Sequence, residues 1–368
     1  MYEDCIWIDF EIMERFMVDV FTGVGVPEDD AGICANVLIT SDHRGIDSHG
    51  IGRLKTIYYD RIKAGIQFPV TEFEVVKEGP TTAVIDGHDG MGQVIAHRSM
   101  SMAIEKAKKL GMGMVAVRNS THYGIAGYYA LMASQAGMIG ITGTNARPSV
   151  APTFGVENML GTNPLTIGLP TDEDFPFVID CATSLTQRGK IEVYDRIDKD
   201  LPEGWVIDQN GGTQTDSHQI LEDLVNGTSA LTPLGGIGEE NAGYKGYGYS
   251  TVVEILSAAL QGGNFMKMLL GWEDGKRVPY HLGHFFMAVD ISAFIELDSF
   301  KKTSGEILRE LRASKKMPGA ERIYTAGEKE HLAWLERENK GVPVNRRLQE
   351  EMVTMIDELG LSGYDFPF

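Results

Sequence analysis

The chain has 368 residues, 43% of them hydrophobic and 23% charged, an ordinary globular composition with room for two or three compact units. Its 33 basic and 52 acidic side chains give a net charge of −19, which argues against nucleic acid and anionic lipid as partners. Cys5, Cys34 and Cys181 lie far apart and form no CxxC, so we expect a reducing compartment and no metal site. The first four residues lack the positive start of a signal peptide, and no apolar run approaches the roughly 20 residues of a membrane span, so we expect a cytoplasmic protein.

The first 65 residues have the apolar spacing of helices. One helix is predicted around residues 10–21, and a second begins at Pro27 with acidic residues in its first turn. A third follows Asp47-Ser48 and ends at Gly65. From Ser299 to about Leu359 the chain is again amphipathic and helical.

Between these ends, short β-rich runs alternate with helices and glycine-rich turns. Strands are predicted at 113–117, 138–142, 165–169, 177–180 and 285–289, with a long helix after Gly246. Helical ends around an α/β middle indicate that the two termini pack together. We therefore predict a mainly helical domain from residues 1–72 and 295–368, and an α/β domain with a mixed sheet from residues 73–294.

A Rossmann fingerprint needs G-x-G-x-x-G/A in a turn from a strand to a helix. Residues 111–116 fit the letters, but a predicted helix precedes them and a strand follows. The runs at 236–238 and 246–248 lack either the third small residue or the context. The sequence therefore predicts an α/β fold that is not a Rossmann fold.

A first candidate site is the run Asp47-Ser48-His49-Gly50, with Arg53 four residues after His49. If the helix begins at Ser48, both side chains share one face near an N-terminus, where free N–H groups favour anions. An arginine fork suits a carboxylate, and an imidazole can accept or return the proton of a neighbouring hydroxyl. This combination favours a small 2-hydroxy acid as the ligand. A purely structural reading is also open, with Ser48 capping the helix and His49 on the surface.

Two further candidates follow predicted strands. His122 lies in the turn after the strand that ends at Val117, and ligands of α/β layers gather at the carboxyl ends of strands. It is therefore placed for proton transfer or for cofactor contact. Asp180 ends another strand, where a carboxylate is costly to bury unpaired, so it could orient a histidine. The alternatives are that His122 fills space and that Asp180 caps residue 183 or 184.

A lysine among glycines forms the last candidate. Lys245 lies in Gly243-Tyr244-Lys245-Gly246 at the start of a predicted helix. Such a position suits a phosphate or a carboxylate. An exposed lysine in a turn is the alternative.

Taken together, these runs resemble the type 2 malate/L-lactate dehydrogenase family. The run 42–50 is similar to the family's SHG signature, and the run 119–129 to its NSxHxG block. Four more blocks follow in family order: Gly161-Thr162-Asn163-Pro164-Leu165, Asp180-Cys181-Ala182-Thr183-Ser184, Gly243 to Gly248 and Gly283-His284-Phe285-Phe286. Each block is weak alone, but six in order cover nearly the whole chain.

The resemblance implies a non-Rossmann fold, a homodimer, and hydride transfer between a nicotinamide and a small anionic acid. His49 and His122 have each been given the proton-transfer role in different members, and the sequence does not choose between them. The resemblance also implies contacts to NAD or NADP at His122, Ala146, Asp180, Cys181, Ala182, Lys245, Gly283, His284 and Phe285.

The substrate does not carry over from the resemblance. Malate/oxaloacetate is favoured here, with Arg53 on one carboxylate and Arg147 as the candidate for the second. Arg147 follows a predicted strand that should neighbour the strand before His122, since sequential elements usually do. The alternatives are lactate, sulfolactate or ureidoglycolate, or reduction of a cyclic imino acid on the same scaffold.

Overall fold

The computed structural model describes residues 5–368, except for the side chain of Arg196. None of the helices it describes is long and apolar enough to span a membrane. The strands are β1 Ile6–Ile8, β2 Glu74–Glu78, β3 Thr82–Asp86, β4 Met112–Ser120, β5 Met138–Thr144, β6 Leu165–Leu169, β7 Phe177–Cys181, β8 Val206–Asp208, β9 Thr213–Gln214, β10 Ser229–Leu231, β11 Trp272–Glu273, β12 Lys276–Arg277, β13 Leu282–Asp290 and β14 Val342–Val344. The helices are α1 Phe10–Gly23, α2 Glu28–His43, α3 Asp60–Lys63, α4 Gly92–Leu110, α5 Ala126–Gln135, α6 Arg188–Arg196, α7 Ser217–Asn226, α8 Gly243–Ala258, α9 Leu297–Ala313, α10 Glu328–Arg337 and α11 Arg346–Leu359.

A seven-stranded mixed sheet in the order β2-β3-β4-β13-β5-β6-β7 forms the centre of the fold. Only the β3–β4 pair is parallel, and α4 makes the crossover between those two strands. All five predicted strands are confirmed, and all five lie in this sheet. The predicted absence of a Rossmann turn at residues 111–116 is also confirmed, because Gly111 ends α4 and β4 follows it. Phe286 packs with α4 and α5 on one face of the sheet, while Gly283 faces Ser257 of α8 on the other.

The two ends of the chain share one hydrophobic core. Met13 and Met17 of α1 are fully buried in the same cluster as Met352 and Met355 of α11. Strand β1 also pairs with β14 in an antiparallel ribbon, which interrupts the helical C-terminal region and was not predicted. Met91, at the start of α4, belongs to this core as well, so the helical ends pack against the sheet unit there. The proposed domain boundaries near residues 72 and 295 remain a prediction.

The predicted third helix begins later than expected. Residues 47–50 form a turn, followed by a 3-10 helix at Ile51–Arg53, a π-helix at Leu54–Tyr59 and then α3. The buried Asp42 carboxylate accepts the Ile51 N–H at 2.8 Å, so Asp42 performs the capping role expected of Ser48. A Cβ at Gly50 would lie 1.8 Å from that carboxylate, so the turn requires glycine.

A small separate layer lies beside the main sheet. Strands β8, β9 and β10 form a three-stranded sheet that shares a core with α6 and α7. Val206, Ile220 and Leu231 are its buried centre. This layer brings the start of α6 next to Ser48, because a Cβ on Gly189 would lie 3.8 Å from the Ser48 Cβ.

The contact that fixes the 42–49 segment to the C-terminal helices is testable. Arg337 is 4% exposed, pairs with Asp47 and donates to the Asp42 carbonyl at 2.6 Å. We expect Arg337→Ala to lower the free energy of unfolding in urea by about 1.5–3 kcal/mol, because charge-assisted hydrogen bonds are lost. Arg346→Ala, which breaks an exposed pair with Glu350, is the control and should cost less than about 1 kcal/mol. Equal losses in the two variants would contradict the anchoring role of Arg337.

Candidate active site

The turn that carries His122 is held from several sides. Asn119 has a left-handed backbone with φ of 50° and donates from its amide to both Asp86 oxygens, at 3.0 and 2.9 Å. The Thr121 hydroxyl donates to the Gly90 carbonyl at 2.7 Å and accepts the Gly92 N–H at 3.0 Å. This anchoring to the start of α4 leaves the turn little conformational freedom.

His122 and His49 lie face to face, although 73 residues separate them in the sequence. Their ring centroids are 5.8 Å apart and the ring planes differ by 19°. The Nδ1 atom of His122 lies 2.6 Å from the Tyr58 hydroxyl and 3.2 Å from the Gly124 backbone nitrogen. Burial, and next the neighbouring His49, hold the pKa of His122 well below its usual range. His122 is therefore neutral at physiological pH.

His49 is held by its sequence neighbour. Its Nδ1 lies 2.8 Å from the Ser48 hydroxyl, and no hydrogen bond engages its Nε2 within residues 5–368. Burial, and then the adjacent Arg53 charge, lower the pKa of His49 from 6.5 to about 4. A neutral imidazole with one free nitrogen is suited to exchange a proton with a ligand.

The Arg53 side chain is oriented by one hydrogen bond, which leaves its terminal nitrogens available to a ligand. Its Nε donates to the Ser48 carbonyl, while Nη1 and Nη2 form no hydrogen bond or ion pair within the part of the chain described. Gly189 approaches closely, because a Cβ there would lie 3.6 Å from Nη2. The guanidinium opens into a cleft of about 370 Å³ that Ser48, Glu192 and other residues line. A free, pre-oriented fork is what bidentate carboxylate binding requires.

A second cleft has a volume of about 420 Å³, within the usual range for small-molecule sites, and brings together several of the other predicted residues. Five predicted positions line it: Ser48, His49, Asp180, Cys181 and Ala182. Ser48 borders both clefts, so His49 and Arg53 lie on either side of a shared boundary. The structure thus assembles these residues from the helical end of the chain and from the edge strand β7 of the sheet.

Asp180 has a different contact from the one expected. Its carboxylate accepts the Gly127 N–H at 2.7 Å and the Thr166 hydroxyl at 2.8 Å, so its hydrogen bonds go to the first turn of α5 and not to a histidine. Loss of solvation in the crowded cleft raises its pKa, although these two donors oppose the shift. Asp180 remains exposed toward the cleft, where it is available to a ligand.

Other predicted positions lie outside the lining of both clefts. Arg147 and Lys245 are exposed, and Ala146 packs against Gly161. The premise for Arg147 is wrong, because β13 separates β4 from β5. Residues 283–285 lie within the central strand β13. His284 is fully buried with both nitrogens bonded, to the hydroxyls of Thr144 and Ser120. The ligand roles of these residues stay predictions.

Three functional candidates were missed at the sequence level. Tyr58 lies within the predicted third helix, and only the fold shows its hydroxyl against His122. Arg44 lines the larger cleft, and its guanidinium has no hydrogen bond or ion pair with any residue described here. Lys190 lines the same cleft, with its ammonium 5.2 Å from the Trp205 ring centroid. Arg44 lies in the run 42–50 that is similar to the SHG signature, so a search for cations within the motifs could have found it.

Fold and site together define an α/β oxidoreductase of a non-Rossmann class. The family model for malate/L-lactate dehydrogenase matches residues 8–353, and the chain belongs to that family. It is 46% identical to a malate dehydrogenase of Pyrococcus horikoshii over 98% of both chains. It is 37% identical to an L-sulfolactate dehydrogenase of Methanocaldococcus jannaschii, over 96% of this chain and 97% of that one. A solved malate dehydrogenase from Entamoeba histolytica superposes with a TM-score of 0.95 at 44% identity, covering 99% of this chain and 100% of that one.

The environment of His49 makes a prediction for the free protein. An NMR titration should show His49 protonating near pH 4, while His88 titrates above 6.5 in the same spectra because Glu74 stabilises its charged form. Since the folded pKa of His49 lies below that of the unfolded chain, the unfolded state binds the proton first. The contribution of His49 to stability should therefore increase from about pH 4 to 6.5 and stay constant above. Protonation of His49 near 6.5 would contradict its burial beside Arg53.

Proposed function

We propose that this protein is an NAD(P)-dependent malate dehydrogenase, which interconverts malate and oxaloacetate by hydride transfer at C2. The observation that carries the proposal is the stacked pair of neutral histidines beside the unpaired Arg53 fork. The malate dehydrogenases among its relatives support this choice of acid. The relative that acts on sulfolactate makes that acid the first alternative to test.

The larger cleft suits a nicotinamide dinucleotide, either NAD or NADP. Arg44 and Lys190 line this cleft and supply positive charge for a diphosphate. Asp180, Cys181 and Ala182 line the same space and are proposed to contact the cofactor. When bound, such a cofactor accepts or returns the hydride of the substrate C2.

Arg53 is proposed to bind the substrate carboxylate next to C2. Its Nε bond to the Ser48 carbonyl fixes the plane of the guanidinium, and its two terminal nitrogens are free for the two carboxylate oxygens. The C2 oxygen would then lie near the histidine pair, because Ser48 connects Arg53 to His49. One of the two histidines exchanges the hydroxyl proton as the C–O bond order changes.

We also propose a cytoplasmic homodimer. The three cysteines lie far apart in the sequence and form no CxxC, which supports a reducing compartment. Helix α8 leaves Tyr249, Val252 and Ile255 largely exposed, with exposed fractions of 58%, 47% and 54%. An apolar face of this kind is typical of a protein–protein contact. Light scattering on the purified protein tests the dimer, and a monomeric mass would contradict it.

The substrate proposal is tested by following NADH and NADPH absorbance with a panel of acids. We expect oxaloacetate to be reduced with a higher kcat/KM than pyruvate, sulfopyruvate or a cyclic imino acid. His49→Ala and His122→Ala should each lower turnover by about 10²–10⁴ if both histidines act at C2. Retention of normal turnover by both variants would remove the histidine pair from the mechanism. A preference for sulfopyruvate would replace malate by sulfolactate.

The role of Arg53 is tested by a conservative change. Arg53→Lys keeps a positive charge but loses the bidentate fork, so kcat/KM for oxaloacetate should fall about ten- to a hundredfold. The control is Arg346→Lys, an exposed arginine outside both clefts, which should leave kcat/KM within about twofold. Arg147→Lys is measured separately, and a large loss of kcat/KM for oxaloacetate would support Arg147 as the partner of the second carboxylate.

A further inference from the structure

A single π-helical segment, Leu54–Tyr59, carries two tyrosines with different partners. Both rings are buried, Tyr58 with an exposed fraction of 0% and Tyr59 with 2%. The Tyr58 hydroxyl lies 2.6 Å from the Nδ1 of His122, whereas the Tyr59 hydroxyl donates to Glu358 at 2.7 Å. Widened turns of this kind are rare and often occur at functional sites, because they re-aim side chains out of the regular helical positions.

The contacts of His122 determine which of its nitrogens carries the proton. The Gly124 backbone nitrogen, 3.2 Å from Nδ1, is a donor and cannot accept. Nδ1 of the neutral ring must therefore accept, so the Tyr58 hydroxyl donates to it as well. A neutral imidazole that accepts at Nδ1 carries its proton on Nε2. Burial raises the pKa of Tyr58 far above its usual range, so this hydroxyl keeps its proton.

We propose that Tyr58 is a positioning residue that holds neutral His122 in its Nε2–H tautomer, so that His122 donates a hydrogen bond to the substrate oxygen and His49 exchanges the proton. This inference rests on the proposed dehydrogenase function. His122 cannot take up a proton at a nitrogen that already carries one, and its role is to stabilise the charge that develops on the oxygen. It keeps its own proton throughout the reaction.

His49 has the contacts that proton exchange requires. The Ser48 hydroxyl at its Nδ1 can donate or accept, so either tautomer of His49 is satisfied. In the oxidative direction the O–H bond of the substrate breaks, the proton goes to Nε2 of His49, and the electron pair forms the C=O bond. The hydride that leaves C2 is taken by the oxidised nicotinamide, which balances the step. The charged groups that face the two rings are Arg53 and Arg61. Both positive charges disfavour protonation of the neutral His122 ring.

The tautomer is read directly from the imidazole ¹⁵N shifts of the free wild-type protein. We expect the His122 signals of one tautomer, with Nε2 protonated and Nδ1 unprotonated. Tyr58→Phe should admit a minor fraction of the Nδ1–H tautomer, because only the longer contact from the Gly124 N–H, at 3.2 Å, would still favour acceptance at Nδ1. Tyr59→Phe, its matched control on the same turn, should keep the wild-type pattern. In kinetics, Tyr58→Phe should lower kcat about five- to tenfold with little change in KM, as expected for loss of one hydrogen bond.

Two results would overturn the proposal. The first is a wild-type His122 with its proton on Nδ1, a result that needs no variant and no activity and so stands even if Tyr58→Phe fails to fold or malate is not the substrate. The second comes from glutamine variants, because a glutamine amide reproduces the Nε2–H donor but cannot accept a proton as a base. His122→Gln should keep at least tenfold more turnover than His49→Gln. Equal losses, or a greater loss at His122, would assign the proton to His122.

Discussion

The hydrogen bonds of the buried His284 imidazole hold together the three strands at the centre of the main sheet. Its two nitrogens bond to Ser120 at the end of β4 and to Thr144 at the end of β5, at 2.8 and 2.7 Å, while its own strand lies between them. The ring also stacks on Tyr123 with centroids 4.5 Å apart. A buried imidazole is tolerated only when it is satisfied and neutral, and burial lowers the pKa of His284 to about 3. The His122 turn leaves the sheet directly after Ser120, so hydrogen bonds within the protein position this turn without a ligand.

The other half of the site depends on the shared core of the two termini. Asp42 accepts the Ile51 N–H where Gly50 leaves room, and Arg337 from the C-terminal region holds the same segment. Ser48 and His49 are therefore placed by residues almost 300 positions apart in the sequence. Ile51, just after the His49 turn, belongs to the core of the two termini, and Tyr123, just after His122, belongs to the core of the main sheet, so the histidine pair lies where these two clusters meet.

Motifs and strands were predictable because their signals are local. The five strands, the reversed context of Gly111 and the position of Asp180 near the end of β7 all follow from short patterns. The insertion of β13 between β4 and β5 is a long-range event, so the neighbourhood assumed for Arg147 was wrong. The late start of the third helix depends on the Asp42 carboxylate, and the position of the Tyr58 side chain depends on a π-helical turn. Neither feature leaves a periodic pattern in the sequence. What sequence reasoning missed was set by tertiary hydrogen bonds.

The absence of a glycine-rich phosphate turn has a physical counterpart at α5. In a Rossmann fold the N-terminus of the helix after the first strand faces the diphosphate with free N–H groups. Here Asp180 already accepts the Gly127 N–H in the first turn of α5, and its negative charge would repel a phosphate placed there. A dinucleotide in this cleft therefore needs its diphosphate to lie away from that helix end, against cations carried by side chains. Arg44 and Lys190 are such cations, and on a chain with a net charge of −19 they supply the local field that an anionic cofactor requires.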